Sequence, residues 1–226
     1  MPSTMMEFHA NGATANGYLS MPKAGRGPGV IVLQEWWGLV DHIKDVTDRF
    51  AGEGFVALAP DLYRGESAKS PEQADKLLMA LDIARTASSL RGAAEFLMAS
   101  DAVDPKKVGV VGFCMGGQLA LFAACEHPTL IQAAVDFYGI HSRVEPRVER
   151  LQSPVLFHFG TRDQSVPPDE ANALVRRLRA AGKRVEAHFY DAAHAFFNDQ
   201  RPEVYSAEHA RLAWARTLDF LRTELA

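Results

Sequence analysis

Six short, largely apolar runs recur along the chain, and β-branched residues are common in them. They cover residues 29–33, 55–59, 108–111, 133–137, 155–159 and 185–190. Because apolar residues in these runs are mostly consecutive rather than alternating with polar ones, the runs predict strands that are buried on both faces. Such strands are typical of a parallel sheet covered by helices.

Helical patterns lie between the runs. In residues 169–181 the apolar positions repeat at helical spacing, and Gly182 is expected to end that helix. Further helices are predicted over residues 90–98 and 118–125, and a long C-terminal helix is expected to begin at Pro202. Near the N-terminus, residues 5–10 and 15–20 predict an antiparallel hairpin that turns at Asn11–Gly12.

This alternation of strands and helices predicts an α/β protein with a mostly parallel, doubly wound sheet and helices on both faces. A length of 226 residues suits one such domain, spanning residues 1–226. In sheets of this kind, ligands bind at the carboxyl ends of the strands. The loops that follow the strands are therefore where chemistry is expected.

Composition and charge narrow the class of function. The net charge of −4 and the pI near 6.1 indicate no basic surface for nucleic acid or for an anionic membrane. No window approaches 18 apolar residues, and Met1 to Gly12 lacks the charged and apolar parts of a secretory signal. We therefore expect a cytoplasmic protein, a monomer or a small homo-oligomer, that acts on a small molecule.

The most specific local pattern is a turn around Cys114. Residues 108–117 read Val-Gly-Val-Val-Gly-Phe-Cys-Met-Gly-Gly, and an apolar helical pattern follows. This is the G-x-S-x-G form of the nucleophile elbow of α/β-hydrolases, with cysteine in the serine position. Gly112 and Gly116 supply the small neighbours that a sharp turn needs. The helix N-terminus would favour a thiolate and, through the Met115 N–H, stabilise an oxyanion.

An alternative interpretation is that Cys114 is a small buried residue and that the glycines serve close packing, because a bare G-x-C-x-G also occurs by chance. Its place after a buried strand and before an apolar helix favours the nucleophile. Cys125, three turns later on that helix, lacks this setting and is expected in the core. Neither a disulfide nor a metal site is expected from two cysteines in a reducing compartment.

A hydrolase elbow predicts an acid and then a histidine later in the chain. Asp163 follows the run 155–159 and His194 follows the run 185–190, so both are expected at strand ends. His188 lies inside a predicted strand and His209 inside the C-terminal helix, which favours structural roles for these two. Cys114, Asp163 and His194 are therefore predicted to be the nucleophile, the orienting acid and the base of a catalytic triad.

The sequence resembles the dienelactone hydrolase family (carboxymethylenebutenolidases) almost end to end. The resemblance rests on residues 34–38 (Gln-Glu-Trp-Trp-Gly), 59–65 (Ala-Pro-Asp-Leu-Tyr-Arg-Gly), 112–117, 159–163 (Phe-Gly-Thr-Arg-Asp) and 194–199 (His-Ala-Phe-Phe-Asn-Asp). It implies an α/β-hydrolase fold and the hydrolysis of a small ester or enol-lactone through a thioester acyl-enzyme. No cofactor is expected, and no metal, because no cluster of ligand residues has suitable spacing.

The resemblance also implies residues that spacing alone does not reveal. Glu35 would lie beside the thiol and assist its deprotonation once substrate binds, although a carboxylate after a strand could also be a solvated loop residue. The Trp36 N–H would be the second oxyanion donor, beside that of Met115. Trp37, together with Trp36, would wall the substrate pocket, and Arg64 is a candidate for contact with the substrate.

Departures from the family concern the substrate. Two arginines that grip the substrate carboxylate in the best-known members fall here on Pro71 and Asn198, and aromatic pocket residues fall on Asp75 and Leu78. Possible replacements for the arginines are Arg64, Arg85, Arg162 and Arg201. The sequence thus leaves a dienelactone-type substrate, a broader carboxylesterase or thioesterase, and a catalytically silent binding protein of the same fold as alternatives.

Overall fold

The computed structural model describes residues 2–10 and 12–226, and within them eight strands form one sheet. The strands are β1 (Ser3–Ala10), β2 (Ala13–Ser20), β3 (Gly27–Leu33), β4 (Val56–Pro60), β5 (Val103–Phe113), β6 (Ala133–Phe137), β7 (Val155–Gly160) and β8 (Val185–Tyr190). Their spatial order is β1-β2-β4-β3-β5-β6-β7-β8. Strands β3 to β8 run parallel, which confirms the mostly parallel, doubly wound sheet.

The N-terminal hairpin forms an antiparallel edge on this sheet. Strand β1 pairs with β2, and β2 pairs with β4, both antiparallel. The last pair of the hairpin, Ala10 with Ala13, leaves a two-residue loop in which Gly12 has φ +80°. That left-handed conformation is the one glycine adopts most readily. The predicted turn residue Asn11 lies outside the described residues.

Helices cover both faces of the sheet. They are α1 (Asp41–Gly52), α2 (Pro71–Ala80), α3 (Ile83–Ala99), α4 (Met115–Glu126), α5 (Pro168–Ala180) and α6 (Ala207–Glu224). On β3, Ile31 and Leu33 pack into the core under α3 and α4, whereas Val30 and Val32 pack into the core under α1 and α6. Burial on both faces explains why the central strands read as continuous apolar runs.

The helix boundaries differ from those predicted. Helices α1 and α2 were not predicted, and α3 begins well before residue 90. The C-terminal helix begins at Ala207 and not at Pro202, so that prediction was wrong. The N–H groups of Val204 and Tyr205 both bond to the Arg201 carbonyl, which forms a separate turn before the helix.

One further sequence expectation takes a different form in the structure. His209 lies in the first turn of α6 rather than in its middle, and its Nδ1 is 2.8 Å from the Ser206 hydroxyl. Across residues 2–10 and 12–226, no helix is both long and apolar enough to cross a membrane.

Candidate active site

Neighbouring strands deliver polar side chains to the same edge of the sheet. Cys114 follows β5 directly and Tyr138 follows β6 directly, while Glu35 lies two residues beyond β3. Asp163 lies in the loop after β7, and His194 in the loop after β8. Because β3, β5, β6, β7 and β8 are consecutive in the sheet and parallel, their carboxyl ends meet at one edge.

The turn around Cys114 has the sharp geometry that the sequence predicts. Cys114 has φ 55° and ψ −120°, a conformation that is strained for any residue with a side chain. Its N–H donates to the Phe137 carbonyl over 2.9 Å, which ties the turn to β6. A Cβ on Gly112 would overlap the Gly116 carbonyl, and a Cβ on Gly116 would lie 2.5 Å from the Gln34 carbonyl oxygen. Both positions therefore require glycine.

Asp163 holds His194 in a fixed orientation. His194 Nδ1 lies 2.8 Å from Asp163 Oδ2, and the Asp163 side chain is fully buried. The other carboxylate oxygen, Oδ1, accepts hydrogen bonds from the N–H groups of Ser165 and Val166, each over 2.8 Å. With both oxygens of the carboxylate held, the bond at Nδ1 leaves Nε2 as the nitrogen available for chemistry.

The same contacts set the protonation state of His194. Burial by itself lowers the pKa of the imidazole, since the charged form loses solvation. The hydrogen bond to Asp163 and the adjacent Cys114 side chain outweigh burial and raise the pKa of His194 to about 10. The protonated form of His194 is therefore stabilised by both of its polar neighbours.

Glu35 lies in the interior and is 1% exposed. Its Oε2 accepts a hydrogen bond from Asn198 Nδ2 over 2.8 Å, whereas Oε1 has no partner among the described residues. The hydroxyl of Tyr138 likewise makes no hydrogen bond of good geometry there, but burial, the charges of Glu35 and Cys114 and a polar contact with the Glu35 carboxylate raise the pKa of Tyr138 well above its usual range. The carboxylate is thus anchored by Asn198 through Oε2 and neighbours the Tyr138 hydroxyl.

A cavity of about 640 Å³ lies over these groups. Cys114 and His194 form its floor with Tyr138. Its apolar wall consists of Trp36, Leu78, Met115, Ile140, Val166, Ala193 and Val204. Its polar lining consists of Asp75, His141, Arg162, Gln164, Ser165 and Arg201. A mostly apolar concave site with a few polar groups is typical of small-molecule binding.

The two candidate oxyanion donors border the cavity beside the thiol. Trp36 follows Glu35, and Met115 is the first residue of α4. Within the part of the chain that the structure describes, neither the Trp36 N–H nor the Met115 N–H donates to a protein acceptor. Free N–H groups next to a nucleophile are what stabilisation of an oxyanion requires.

Arg64, which the sequence analysis named as a candidate substrate contact, does not line this cavity. Arg64 and Arg85 line a separate cavity of about 420 Å³, together with residues of β2 and α3. Trp37 does not line the active-site cavity either. It packs edge-on against Trp36, with ring centroids 5.2 Å apart, and lies 5.8 Å beneath the Arg201 guanidinium. Trp37 therefore packs against Trp36 and Arg201, two residues that do line the cavity.

The remaining arginines at the cavity are paired with acids. Arg162 Nε lies 2.9 Å from Asp191 Oδ1, and Arg201 Nε donates to Glu203 Oε1 over 2.8 Å. Asn198 is buried against Glu35 and does not line the cavity. Pairing reduces the positive charge that either arginine offers to a substrate carboxylate.

Cys125 differs from Cys114 in its burial, because Cys114 is partly exposed. It is fully buried on α4, and burial raises the pKa of the Cys125 thiol to about 12. Both cysteines are free thiols.

His188 lies on β8, where its Nε2 is 2.6 Å from Glu186 Oε1. Over residues 2–10 and 12–226, no group of three or more metal-ligating side chains lies together.

The sequence analysis did not find all of these residues. Tyr138 could have been found by the strand-end rule that found Asp163, because it directly follows β6. The contact between Asn198 and Glu35 joins residues that are 163 positions apart, and no local pattern indicates it.

Comparison with known proteins gives consistent similarities. A sequence model of the dienelactone hydrolase family matches residues 15–225. A "Carboxymethylenebutenolidase" from Pseudomonas sp. (strain P51) is 35% identical over 93% of this chain and 91% of its own length. A "Putative carboxymethylenebutenolidase" from Aquifex aeolicus is 36% identical over 98% of both chains. "Protein usf" from Aquifex pyrophilus is 39% identical over 98% of both chains.

Solved structures show the same likeness. A putative dienelactone hydrolase from Klebsiella pneumoniae has a TM-score of 0.88 and 31% identity, covering 98% of both chains. A dienelactone hydrolase-like promiscuous phosphotriesterase from metagenomic libraries has a TM-score of 0.86 at 23% identity, over 100% of this chain and 99% of that one. The second likeness shows the α/β-hydrolase fold alone.

Proposed function

This chain belongs to the dienelactone hydrolase family and is a hydrolase of that type, and we propose that it cleaves a small ester or enol-lactone with Cys114 as its nucleophile. The observation that carries this proposal is the strained elbow at Cys114, which shares one cavity with His194, whose Nδ1 is held by Asp163. The proposal assigns the nucleophile to Cys114, the orienting acid to Asp163, and proton transfer to His194.

In this proposal Glu35 deprotonates the Cys114 thiol. The proposal assigns His194, whose pKa is raised and whose Nδ1 is held by Asp163, to protonate the leaving group, so the thiol proton needs another acceptor. Glu35 lies two residues beyond β3, at the edge of the sheet that also carries Cys114, and its Oε1 makes no hydrogen bond of good geometry among the described residues. We propose that the Cys114 thiol transfers its proton to Glu35 Oε1 when substrate occupies the cavity.

The thiolate then attacks the substrate carbonyl, and negative charge develops on the carbonyl oxygen. The N–H groups of Trp36 and Met115 border the cavity and have no protein acceptor within the described residues, so they are available to this oxyanion. One such donor typically lowers the barrier by about 3 kcal/mol.

His194 serves both halves of the cycle. As an imidazolium it gives its proton to the leaving alcohol or enol, which leaves the acyl group on sulfur as a thioester. The neutral imidazole then takes a proton from water, and the resulting hydroxide hydrolyses the thioester. The thiolate is released and takes back its proton from Glu35. The cycle consumes one water and yields a carboxylic acid and an alcohol.

Turnover of p-nitrophenyl acetate tests the assignment of the nucleophile. Cys114→Ala is expected to abolish turnover, and Cys125→Ala, which changes the buried thiol on the same helix, is expected to retain it. Iodoacetamide should modify Cys114 selectively, because Cys125 is buried and its pKa is raised. Full activity of Cys114→Ala would overturn the proposal, and a Cys114 as unreactive as Cys125 would favour a catalytically silent protein.

A second candidate is a broader carboxylesterase or thioesterase. Arg162 and Arg201 line the cavity, and both are paired with acids. Because paired arginines are less available to bind a substrate carboxylate, this arrangement favours a broader substrate range. A panel of lactones and aryl esters, each with and without a free carboxylate, separates the two candidates. Preference for the carboxylate-bearing lactones would assign a dienelactone-type substrate, whereas equal turnover of neutral aryl esters would assign the broader esterase.

A further inference from the structure

Tyr138 carries a buried hydroxyl in the candidate active site that the proposed function does not use. The whole side chain is buried, and among the described residues its hydroxyl makes no hydrogen bond of good geometry. The same is true of Glu35 Oε1. A buried polar group left without a partner typically costs about 1–3 kcal/mol, so two such atoms at one edge of the sheet require an explanation.

The backbone holds Tyr138 in a strained turn. Tyr138 has φ 47°, in the left-handed region that residues with a side chain rarely adopt. Its N–H donates to the His158 carbonyl over 2.8 Å, and the next N–H, that of Gly139, donates to Asp136 Oδ1 over 2.7 Å. A Cβ on Gly139 would lie 2.5 Å from that same oxygen, so the turn has no room for another residue there. These contacts fix the point from which the Tyr138 side chain extends.

The same turn is joined to the nucleophile elbow and to the catalytic histidine. The carbonyl of Phe137, the residue before Tyr138, accepts the Cys114 N–H over 2.9 Å. The Tyr138 ring lies edge-on to the His194 ring, with centroids 5.1 Å apart, and edge-on to Phe196, with centroids 5.5 Å apart. Tyr138 also lines the active-site cavity. Contacts on the backbone and on the ring therefore restrict where the hydroxyl lies.

Anionic groups from three strand ends act on the Tyr138 hydroxyl. The Glu35 carboxylate, after β3, is in polar contact with it, and the charges of Cys114, after β5, and Asp163, after β7, act on it as well. Burial and these groups raise the pKa of Tyr138 well above its usual range, so the phenol keeps its proton and can only donate to an anion. One hydrogen bond from this hydroxyl to Glu35 Oε1 would give both buried atoms a partner.

A carboxylate as buried as Glu35 needs hydrogen-bond donors to stay ionised, and an uncharged acid could not take the thiol proton. Asn198 supplies one donor, at Oε2. The charge of Glu35 also acts on His42 of α1, but burial lowers the pKa of His42, so this imidazole adds no positive charge at neutral pH. Tyr138 is thus the neighbour that can supply a second donor.

We propose that Tyr138 is a positioning residue for Glu35: its hydroxyl donates to Oε1 and, with Asn198 at Oε2, holds Glu35 as the carboxylate that accepts the thiol proton. This inference rests on the proposed role of Glu35. A carboxylate oxygen has two lone pairs, so Oε1 can take the proton of Cys114 on one while the phenol donates to the other. Tyr138 keeps its own proton throughout, and the thiol proton returns to sulfur when the thioester is hydrolysed.

Tyr138→Phe keeps the ring beside His194 and removes only the hydroxyl. We expect kcat/KM for p-nitrophenyl acetate to fall about tenfold at about pH 7, because a buried charged acceptor loses one donor. The acidic limb of the pH profile should move to higher pH, since a carboxylate with fewer donors ionises less readily. A loss of the same size at every pH, or no loss, would overturn the inference.

Tyr18→Phe is the matched control for this substitution. The Tyr18 hydroxyl also makes one hydrogen bond to a carboxylate, that of Asp48, over 3.0 Å, but Tyr18 does not line the active-site cavity. Its pH profile should match that of the wild type. A shift of the acidic limb in Tyr18→Phe as large as that in Tyr138→Phe would show that the shift does not come from the site.

Infrared difference spectra measure the ionisation of Glu35 without relying on turnover. The carbonyl band of protonated Glu35 is identified as the band that the wild type shows at acidic pH and that Glu35→Gln lacks. In Tyr138→Phe this band should appear at a higher pH than in the wild type. Its appearance at the same pH in both proteins would contradict the inference.

The Glu35→Gln background separates this inference from the proposed function. There we expect Tyr138→Phe to cause no further loss of kcat/KM, because the carboxylate that it positions is gone. The same fold loss with and without that carboxylate would mark Tyr138 as merely structural. If Glu35→Gln alone matches the wild type while Cys114→Ala is inactive, the role of Glu35 fails and this inference fails with it, but the assignment of the nucleophile stands.

Discussion

Glu35 and His194 divide the work of proton transfer because their surroundings differ. Glu35 is anchored by Asn198 at Oε2, and its Oε1 makes no hydrogen bond of good geometry among the described residues, so this oxygen can receive a proton. His194 is held by Asp163, and its raised pKa keeps it protonated and ready to give a proton. Two titratable groups whose environments separate their roles are typical of acid–base catalysis.

Replacement of Asn198 tests the anchoring of Glu35. Asn198→Ala leaves Glu35 Oε2 buried without its donor, which should cost about 1–3 kcal/mol of unfolding free energy and lower kcat as well. Urea denaturation and steady-state kinetics measure the two effects. Asn172→Ala is the matched control, because Asn172 Nδ2 also makes one 2.8 Å bond, to the Pro168 carbonyl on α5. An Asn198→Ala variant as stable and active as this control would disprove the anchoring.

At the scale of elements, the strand–turn–helix unit of β5 and α4 places the nucleophile. The turn is tight because β5 ends directly beneath the first turn of α4, so Gly112 and Gly116 have no room for a Cβ. The same closeness holds the Met115 N–H beside the sulfur. Strain at Cys114, with φ 55°, is the consequence of this arrangement.

Gly112→Ala should therefore damage both stability and chemistry. The new methyl group would overlap the Gly116 carbonyl, and the elbow would have to open. We expect a loss of several kcal/mol in unfolding free energy and near-complete loss of Cys114 alkylation by iodoacetamide.

Gly182→Ala is the control for that experiment. Gly182 has φ +70°, but a Cβ at this position would have no other atom within 4 Å, so alanine there introduces backbone strain without a clash. It should cost about 1–2 kcal/mol and leave the alkylation rate unchanged. Equal alkylation rates in the two alanine variants would show that the elbow tolerates a side chain.

The sequence predicted the elements best where one physical signal dominates. Continuous apolar runs located the parallel strands, and the elbow glycines located Cys114, because burial and close approach each restrict residue type strongly. Helices α1 and α2 were missed although their buried residues recur at helical spacing, as Ile43, Val46 and Phe50 do in α1. Arg64 was misplaced because the path of a loop after a strand depends on tertiary packing, which no local pattern encodes.

At the scale of the whole molecule, histidines with shifted pKa values couple stability to pH. In the folded state His194 has a pKa of about 10, above its ordinary value near 6.5. Burial instead lowers the pKa values of His42 and His158. Between pH 6.5 and about 10 the folded state holds a proton on His194 that the unfolded chain does not, so stability falls as the pH rises through this window. Below pH 6.5 the unfolded chain protonates His42 and His158 first, so stability falls as the pH drops.

We expect the urea midpoint to reflect this balance. In the wild type it should decline from pH 7 to pH 10, and His194→Gln should show a shallower decline because it lacks the native proton. On the acid side the two proteins should lose stability in parallel. Parallel curves on the alkaline side as well would contradict the raised pKa of His194.

The central claim is that the acyl group passes through a thioester on Cys114. Intact-protein mass spectrometry after an acid quench of His194→Gln with p-nitrophenyl acetate tests it directly, because that variant can be acylated but cannot activate water for deacylation. We expect a mass increase of one acetyl group, located by peptide mapping to Cys114 and absent from Cys114→Ala. An acetyl group on another residue, or on no residue while the wild type turns over the same ester, would contradict the account.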